Sequence, residues 1–119
     1  MDKNIRISWL LDFYGEFLTD KQRSLMEMHF NEDLSLAEIA ERAGITRQGV
    51  HDGLRRGVET LERCEQRLGL MGRSLAVKAS LDSMADLTQG KDTLSTDDTA
   101  ILKAMLQRAA KIWEGNDGL

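Results

Sequence analysis

Residues 35–56, SLAEIAERAGITRQGVHDGLRR, contain two helix-start signals separated by a glycine. Ser35 with Glu38 three residues later is a capping-box pattern, and Thr46 is a second N-cap candidate. Gly44 stands between the two segments, where a turn with positive φ costs a glycine little. A short helix, a sharp turn and a second capped helix together predict a helix-turn-helix.

The small and apolar residues of this segment fall at the offsets that such a motif needs. A small residue, Ala40, stands where the two helices cross closely, and four apolar side chains are predicted to form their shared core. An ordinary helical hairpin with solvated arginines is the alternative interpretation. The residues expected to build the motif are Ile39, Ala40, Gly44, Ile45, Val50 and Leu54.

The second helix of a helix-turn-helix enters the major groove with its first residues facing the base edges. Arg47 and Gln48 are the predicted base readers, because Arg suits guanine edges and Gln suits adenine edges. Thr46 and the first backbone amides can hold a phosphate. This helix start carries a local charge of +2, from three Arg and one Asp. The expected DNA contacts are Thr46, Arg47, Gln48, His51, Asp52, Arg55 and Arg56.

Apolar residues recur at helical spacing along nearly the whole chain, which predicts an all-α fold. We expect a multi-helix bundle in one compact domain. Residues 1–70 would form the DNA-binding region, and residues 71–119 a C-terminal helical hairpin that packs on it or mediates dimerisation. Helices are predicted over about 5–17, 47–68, 73–88 and 96–114, besides two shorter ones. Thr19 with Gln22 is a further capping-box pattern at the start of the second helix, and Gly69 is placed to end the fourth. The first is expected to bury Ile5, Trp9, Leu10, Phe13 and Phe17, and the long fourth one Val50, Leu54, Val58, Leu61 and Leu68.

The composition limits the function classes. Sixteen Lys and Arg against twenty Asp and Glu give a net charge of −4 over 119 residues, which excludes an all-over basic coat but not a local basic patch. A single Cys64, no signal-peptide pattern and no long apolar run favour a soluble cytoplasmic protein without a membrane span. Neither metal-ligand spacing nor a nucleophile with its base is visible, so we expect no metal, no cofactor and no enzymatic activity.

Two further patterns have more than one interpretation. Glycines repeat every four residues along the fourth helix, at Gly49, Gly53 and Gly57. This spacing suits the close approach of a DNA backbone or of another helix. The alternative is sequence drift on an exposed face. The last helix is apolar over a wide face, which a homodimer or the rest of the monomer would cover. That face comprises Ile101, Leu102, Met105, Leu106, Ala109, Ile112 and Trp113.

Residues 18–61 resemble region four of bacterial sigma factors, which reads the −35 promoter element. Within that superfamily the segments LTDKQR (18–23), SLAEIAE (35–41) and TRQGV (46–50) look most like the YlxM family of small helix-turn-helix proteins. The family tends to have an aromatic residue where His51 stands and no glycine at positions 49 and 53, and the resemblance fades after Leu70.

The resemblance implies a regulatory or accessory role in the signal recognition particle pathway, since the family's genes tend to neighbour those of that particle. The expected activity is non-catalytic binding of double-stranded DNA. The alternative is a protein- or RNA-interaction module that contacts components of the signal recognition particle or of RNA polymerase.

Overall fold

Every regular element that the computed structural model describes, over residues 1–115, is helical. The six α-helices are α1 Lys3–Tyr14, α2 Asp20–Met26, α3 Leu36–Ala43, α4 Arg47–Leu68, α5 Leu70–Thr88 and α6 Thr96–Glu114. A 3₁₀ turn, Gly15–Phe17, follows α1, and a π-helical turn, Glu27–Asn31, extends α2. The prediction of an all-α fold with a helix-turn-helix is confirmed.

Both capping boxes form at the predicted residues. The Thr19 hydroxyl accepts from the Gln22 amide at 3.1 Å, and the Gln22 side chain accepts in return from the Thr19 amide at 3.2 Å. Ser35 and Glu38 make the same reciprocal pair at 3.1 and 3.0 Å. The hydrogen bond from the Ser35 backbone amide lowers the pKa of the Glu38 carboxyl. These caps fix where α2 and α3 begin.

The chain forms two compact units, Met1–Met71 and Gly72–Leu119. In the first unit α1, α2 and α3 all pack on α4. Its core lies between these four helices and the π-helical turn. The buried apolar side chains are Ile7, Leu10, Leu11, Tyr14, Leu18, Leu25, Met26, Met28, Ile39, Ala40, Val50, Leu54, Leu61 and Met71.

The face that α1 buries differs from the predicted one. Only Leu10 of the five predicted residues is buried, and the core face is instead Ile7, Leu10, Leu11 and Tyr14. Both faces of this helix are apolar, so periodicity alone does not choose between them. The observed rotation lets Arg6 make a bidentate ion pair with Glu62 of α4, at 2.9 and 2.7 Å. The same ion pair lowers the pKa of the Glu62 carboxyl.

The junction between α4 and α5 is fastened by a buried tyrosine. Tyr14 Oη donates to Glu65 Oε1 at 2.5 Å and accepts from the Leu70 amide at 3.0 Å, and the Met71 amide donates to the same Glu65 oxygen. Burial raises the pKa of Tyr14. Gly69 closes α4 with φ +63°, as predicted.

Two details near this junction were predicted wrongly. Leu68 is 44% exposed, because it occupies the last turn of α4, beyond the part of that helix that the core covers. The fifth helix begins at Leu70 and not near Arg73, since Gly69, with φ +63°, is the only residue that separates it from α4.

The second unit is built on α5 and α6, which form the expected helical hairpin. Ser95 caps α6 by accepting from the Asp98 amide at 3.0 Å, and Lys91 pairs with Asp98 at 2.9 Å across the connecting turn. Met84 of α5 is buried, whereas no residue of α6 is. Of the wide apolar face on α6, Leu102, Met105, Ala109 and Ile112 are half-buried, and Ile101, Leu106 and Trp113 are exposed.

Candidate nucleic-acid interface

The turn between α3 and α4 has the geometry that the glycine pattern predicts. Gly44 adopts φ +70°, and its amide donates to the Ala40 carbonyl at 2.9 Å. The Ile45 amide donates to the same carbonyl at 3.1 Å. A residue with a Cβ is strained at this φ, so the glycine is required by the turn itself.

Thr46 fixes the start of α4. Its backbone is extended, and its side-chain oxygen accepts from the Gly49 amide at 2.9 Å. The residues that follow therefore stand on the first turn of a capped helix. Arg47 and Gln48 are both exposed there, which is the position from which base edges are read.

The predicted structural residues lie beneath this exposed turn. Ile39 and Val50 are fully buried, and Ala40 and Leu54 are nearly so, while Ile45 is half-buried. This apolar layer joins α3 to α4 and holds the first turns of α4 in a fixed orientation.

The seven predicted DNA contacts share one end of α4. Asp52 is half-buried, and the other six are exposed: Thr46, Arg47, Gln48, His51, Arg55 and Arg56. Helical spacing brings Gln48, Asp52 and Arg55 to one side of the helix.

Asp52 contacts two other residues of this group. Its Oδ1 accepts from Gln48 Nε2 at 3.1 Å and lies 3.6 Å from His51 Nδ1. Arg55 pairs with Glu59 one turn later, at 3.0 Å. Arg47 and Arg56, by contrast, make no ion pair with any residue in the described part of the chain. Two guanidinium groups near the start of α4 are thus available to an anionic ligand.

Sequence reasoning did not identify Lys21 as a residue near this surface. A shallow depression of about 470 Å³ lies between the start of α2 and the start of α4. Lys21 lines it from α2, opposite Arg56 and Asp52 of α4. The capped start of α2 can be recognised in the sequence, but its closeness to α4 depends on tertiary packing. The glycine row on α4 was the one sequence signal of that closeness.

Two of the three glycines in that row serve packing inside the chain. An added Cβ at Gly53 would lie 2.7 Å from Leu25 Cδ1, and one at Gly57 would lie 2.7 Å from Met26 Sδ. The close approach is therefore by α2 and not by DNA, and drift on an exposed face is excluded for the buried Gly57. Gly49 differs, because its nearest neighbour would be the Thr46 hydroxyl at 3.1 Å.

Over residues 1–115, no three His, Cys, Asp or Glu side chains come together as possible metal ligands. None of the helices over the same range combines the length and apolarity that crossing a bilayer requires.

A short helix, a glycine turn and a capped second helix with an exposed polar start define a helix-turn-helix protein. The model of the family UPF0122, described as "Putative helix-turn-helix protein, YlxM / p13 like", matches residues 1–101, and the chain belongs to this family. The resemblance to the YlxM family is thus confirmed.

Three relatives from this family cover between 70% and 96% of the chain. A UPF0122 protein of Acetivibrio thermocellus is 40% identical over 116 residues, which cover 96% of this chain and 99% of the relative. One from Exiguobacterium sibiricum is 41% identical over 87 residues, 73% of this chain and 82% of the relative. One from Thermoanaerobacter sp. (strain X514) is 45% identical over 83 residues, 70% and 71% of the two chains.

Proposed function

We propose that this protein is a non-catalytic regulator that binds double-stranded DNA through the first three turns of α4. The observation that carries the proposal is Arg47, exposed on a capped helix start directly after the Gly44 turn and without an ion pair in residues 1–115. A guanidinium in that position suits the O6 and N7 atoms of guanine in the major groove.

The neighbouring side chains supply the other contacts in this proposal. Gln48 reads a base edge while Asp52 holds its amide, and Lys21 with Arg56 contacts phosphates on either side of the depression between α2 and α4. Thr46, His51 and Arg55 contact the backbone from the same end of the helix. Because Asp52 and Glu59 lie within this surface, binding to random sequence is weak and depends on correct orientation.

The biological role follows from the family resemblance. We propose a regulatory or accessory part in the signal recognition particle pathway, with a helix-turn-helix that reads DNA as sigma region four does. The protein acts in the cytoplasm, and as a homodimer it would present two recognition helices to a two-fold site.

The function is tested by comparing Arg47→Ala with a matched control, Arg63→Ala. Arg63 is also exposed on α4 but lies about 24 Å further along the helix axis. A duplex enriched from a randomised pool by the wild-type protein is titrated at about 50 and 200 mM salt, beside a scrambled duplex.

The expected result is a loss of about 10- to 100-fold for Arg47→Ala on the enriched duplex and a small change on the scrambled one. Arg63→Ala should bind like the wild type. Equal losses for both variants on both duplexes, or no enrichment by the wild type, would contradict sequence reading by α4.

A second candidate function is an interaction module for protein components of transcription or of the signal recognition particle. It is favoured by the apolar side chains Trp9, Phe13 and Phe17, which the first unit leaves exposed. Absence of duplex binding at low salt would favour this candidate, because its binding surface is not the start of α4.

A further inference from the structure

A small cleft that takes no part in the proposed DNA contact lies between α1 and the π-helical turn. Its volume is about 260 Å³. Pockets for small molecules and cofactors measure about 300–1,000 Å³, so this cleft suits a single side chain of another molecule. We call it the α1 cleft, and it is lined by Asn4, Ile5, Ser8, Trp9, Phe30 and Asp33.

The wall of the cleft opposite α1 is held in place by side-chain contacts. Ser8 Oγ donates to Asn31 Oδ1 at 2.5 Å, and Asn31 Nδ2 donates to Glu27 Oε2 at 2.6 Å. The Phe30 ring packs edge-on against His29, with ring centroids 4.8 Å apart. The π-helical turn is therefore fixed against α1 before any ligand binds, and single π-helical turns are frequent at functional sites.

The α1 cleft combines negative charge with an apolar floor. Asp33 lines it, and Asp12 lies one turn beyond Ser8, about 40° further around the helix. Both carboxylates are exposed, and neither has an ion-pair partner within residues 1–115. Trp9 and Phe30 supply aromatic rings beside them. A cation that also has an apolar stem would match this surface.

No basic side chain of the described residues lines the cleft. Lys3 lies about 140° from Ser8 around α1. Arg6 borders Trp9 on the far side but is held by Glu62 at 2.7 Å. A phosphate or an anionic lipid surface is therefore repelled here, and so is a second α1, which would bring the same carboxylates.

Apolar surface continues beyond the cleft along α1. Trp9 is 38% exposed, and Phe13, one turn further on, is 41% exposed. A free small cation confined to the cleft would leave Phe13 in contact with water. A polypeptide that has an apolar residue beside its cationic one would cover both rings, which favours a protein as the ligand.

We propose that the α1 cleft binds an arginine side chain presented by another protein. The guanidinium is planar, so it stacks on the Trp9 ring while it donates to the Asp33 carboxylate. Asp12 attracts the charge from the next turn, and Ile5 and Phe30 pack on the methylene stem. Lysine fits less well, because its compact ammonium neither stacks nor forms a bidentate pair. The site does not depend on DNA binding by α4.

The test uses the full chain without DNA and a blocked tripeptide, acetyl-Leu-Arg-Leu-amide. The peptide is titrated to about 10 mM, because one bound side chain supports roughly millimolar affinity. Backbone amide shifts of α1 report binding. A second peptide with citrulline in place of arginine keeps the shape without the charge, and a third with lysine keeps the charge without the planar group.

Two variants remove the proposed contacts. Asp33→Asn removes the charge and keeps the backbone, because asparagine tolerates the left-handed conformation of Asp33, with φ +56°. It should bind the arginine peptide at least about tenfold more weakly, as expected for the loss of a charge-assisted hydrogen bond. Trp9→Leu keeps an apolar side chain without the aromatic ring, and its affinity should fall by about two- to thirtyfold.

Two further variants are controls and should bind the arginine peptide like the wild type. Glu41→Gln removes an exposed carboxylate of α3 outside the cleft. Arg47→Ala removes the proposed base reader, so this test and the test of DNA binding fail independently. Thermal unfolding checks that each variant folds, and the three peptides on the wild type test the proposal whether or not a variant does.

The wild type is expected to bind the arginine peptide most tightly, the lysine peptide less tightly and the citrulline peptide least. No binding of the arginine peptide, or equal binding of the three peptides, would overturn the proposal. Equal losses for Asp33→Asn and Glu41→Gln would also overturn it, since the attraction would then not be centred on the cleft. Self-association of the wild type that Asp33→Asn abolishes would assign the cleft to a second copy of this chain instead.

Discussion

Asp52 places a negative charge within the otherwise basic candidate interface. It holds the Gln48 amide at 3.1 Å and faces His51 at 3.6 Å, but its own charge opposes the approach of phosphate. A carboxylate in this position lowers affinity for every duplex while it orients one base reader. The arrangement suits a protein that selects a sequence and avoids bulk DNA.

The substitution Asp52→Asn separates these two effects, because the amide oxygen can still accept from Gln48. We expect an affinity gain of about fivefold on enriched and scrambled duplexes alike, since the removal of one charge near a phosphate is worth about 1 kcal/mol in water. The measurement is a duplex titration at low salt. Asp97→Asn on the exposed start of α6 is the control and should change nothing. An unchanged affinity for Asp52→Asn would place Asp52 outside the interface, and a weaker one would show that its charge does not oppose binding.

At the scale of helices, the close contact between α2 and α4 depends on glycines of α4, which have no side chain. Gly57 is buried against Met26, which is itself fully buried. A glycine in a helix interior costs about 0.5–1 kcal/mol relative to alanine. That cost is offset because α2 can come close enough to pack into the core beneath the candidate interface.

We predict that Gly57→Ala destabilises the protein by about 1 kcal/mol net, because overpacking of a core costs about 1–3 kcal/mol and the helix-propensity gain is smaller. In a Met26→Ala background the space is open, so the same substitution should instead stabilise by a few tenths to about 1 kcal/mol. Chemical denaturation of the four proteins measures both steps. The same sign in both backgrounds would show that Met26 is not the opposing group.

The sequence predicted those elements whose signals are local. The capping boxes at Thr19 and Ser35, the turn at Gly44 and the end of α4 at Gly69 each depend on a few adjacent residues, and all form as expected. The rotation of α1 could not be predicted, because Ile7 and Trp9 begin equally apolar faces. Tertiary contacts with α4 distinguish them, namely the ion pair from Arg6 to Glu62 and the hydrogen bond from Tyr14 to Glu65.

The candidate site shows the same division between local and tertiary information. Arg47 and Gln48 follow directly from the position of the helix start, which the sequence reveals. Lys21 could not be found in this way, because it reaches the depression beside Arg56 only when α2 packs on α4. Packing likewise determines which helix contacts the glycine row and which side of α1 is buried.

For the whole molecule, the charge distribution restricts how DNA can be bound. Residues 1–60 carry eight basic and eleven acidic side chains, yet the start of α4 has a local excess of positive charge. Long-range attraction to DNA is therefore weak, and binding energy must come from a small oriented surface.

The central claim is that the first three turns of α4 contact DNA. Its most direct test is an amide chemical-shift titration of the labelled protein with the enriched duplex at about 50 mM salt, where phosphate contacts are strong. The account predicts that the largest shifts fall within residues 46–56 and around Lys21, and that α1 and α6 are little affected. Shifts confined to α1 or α6, or none at a saturating duplex concentration, would contradict it.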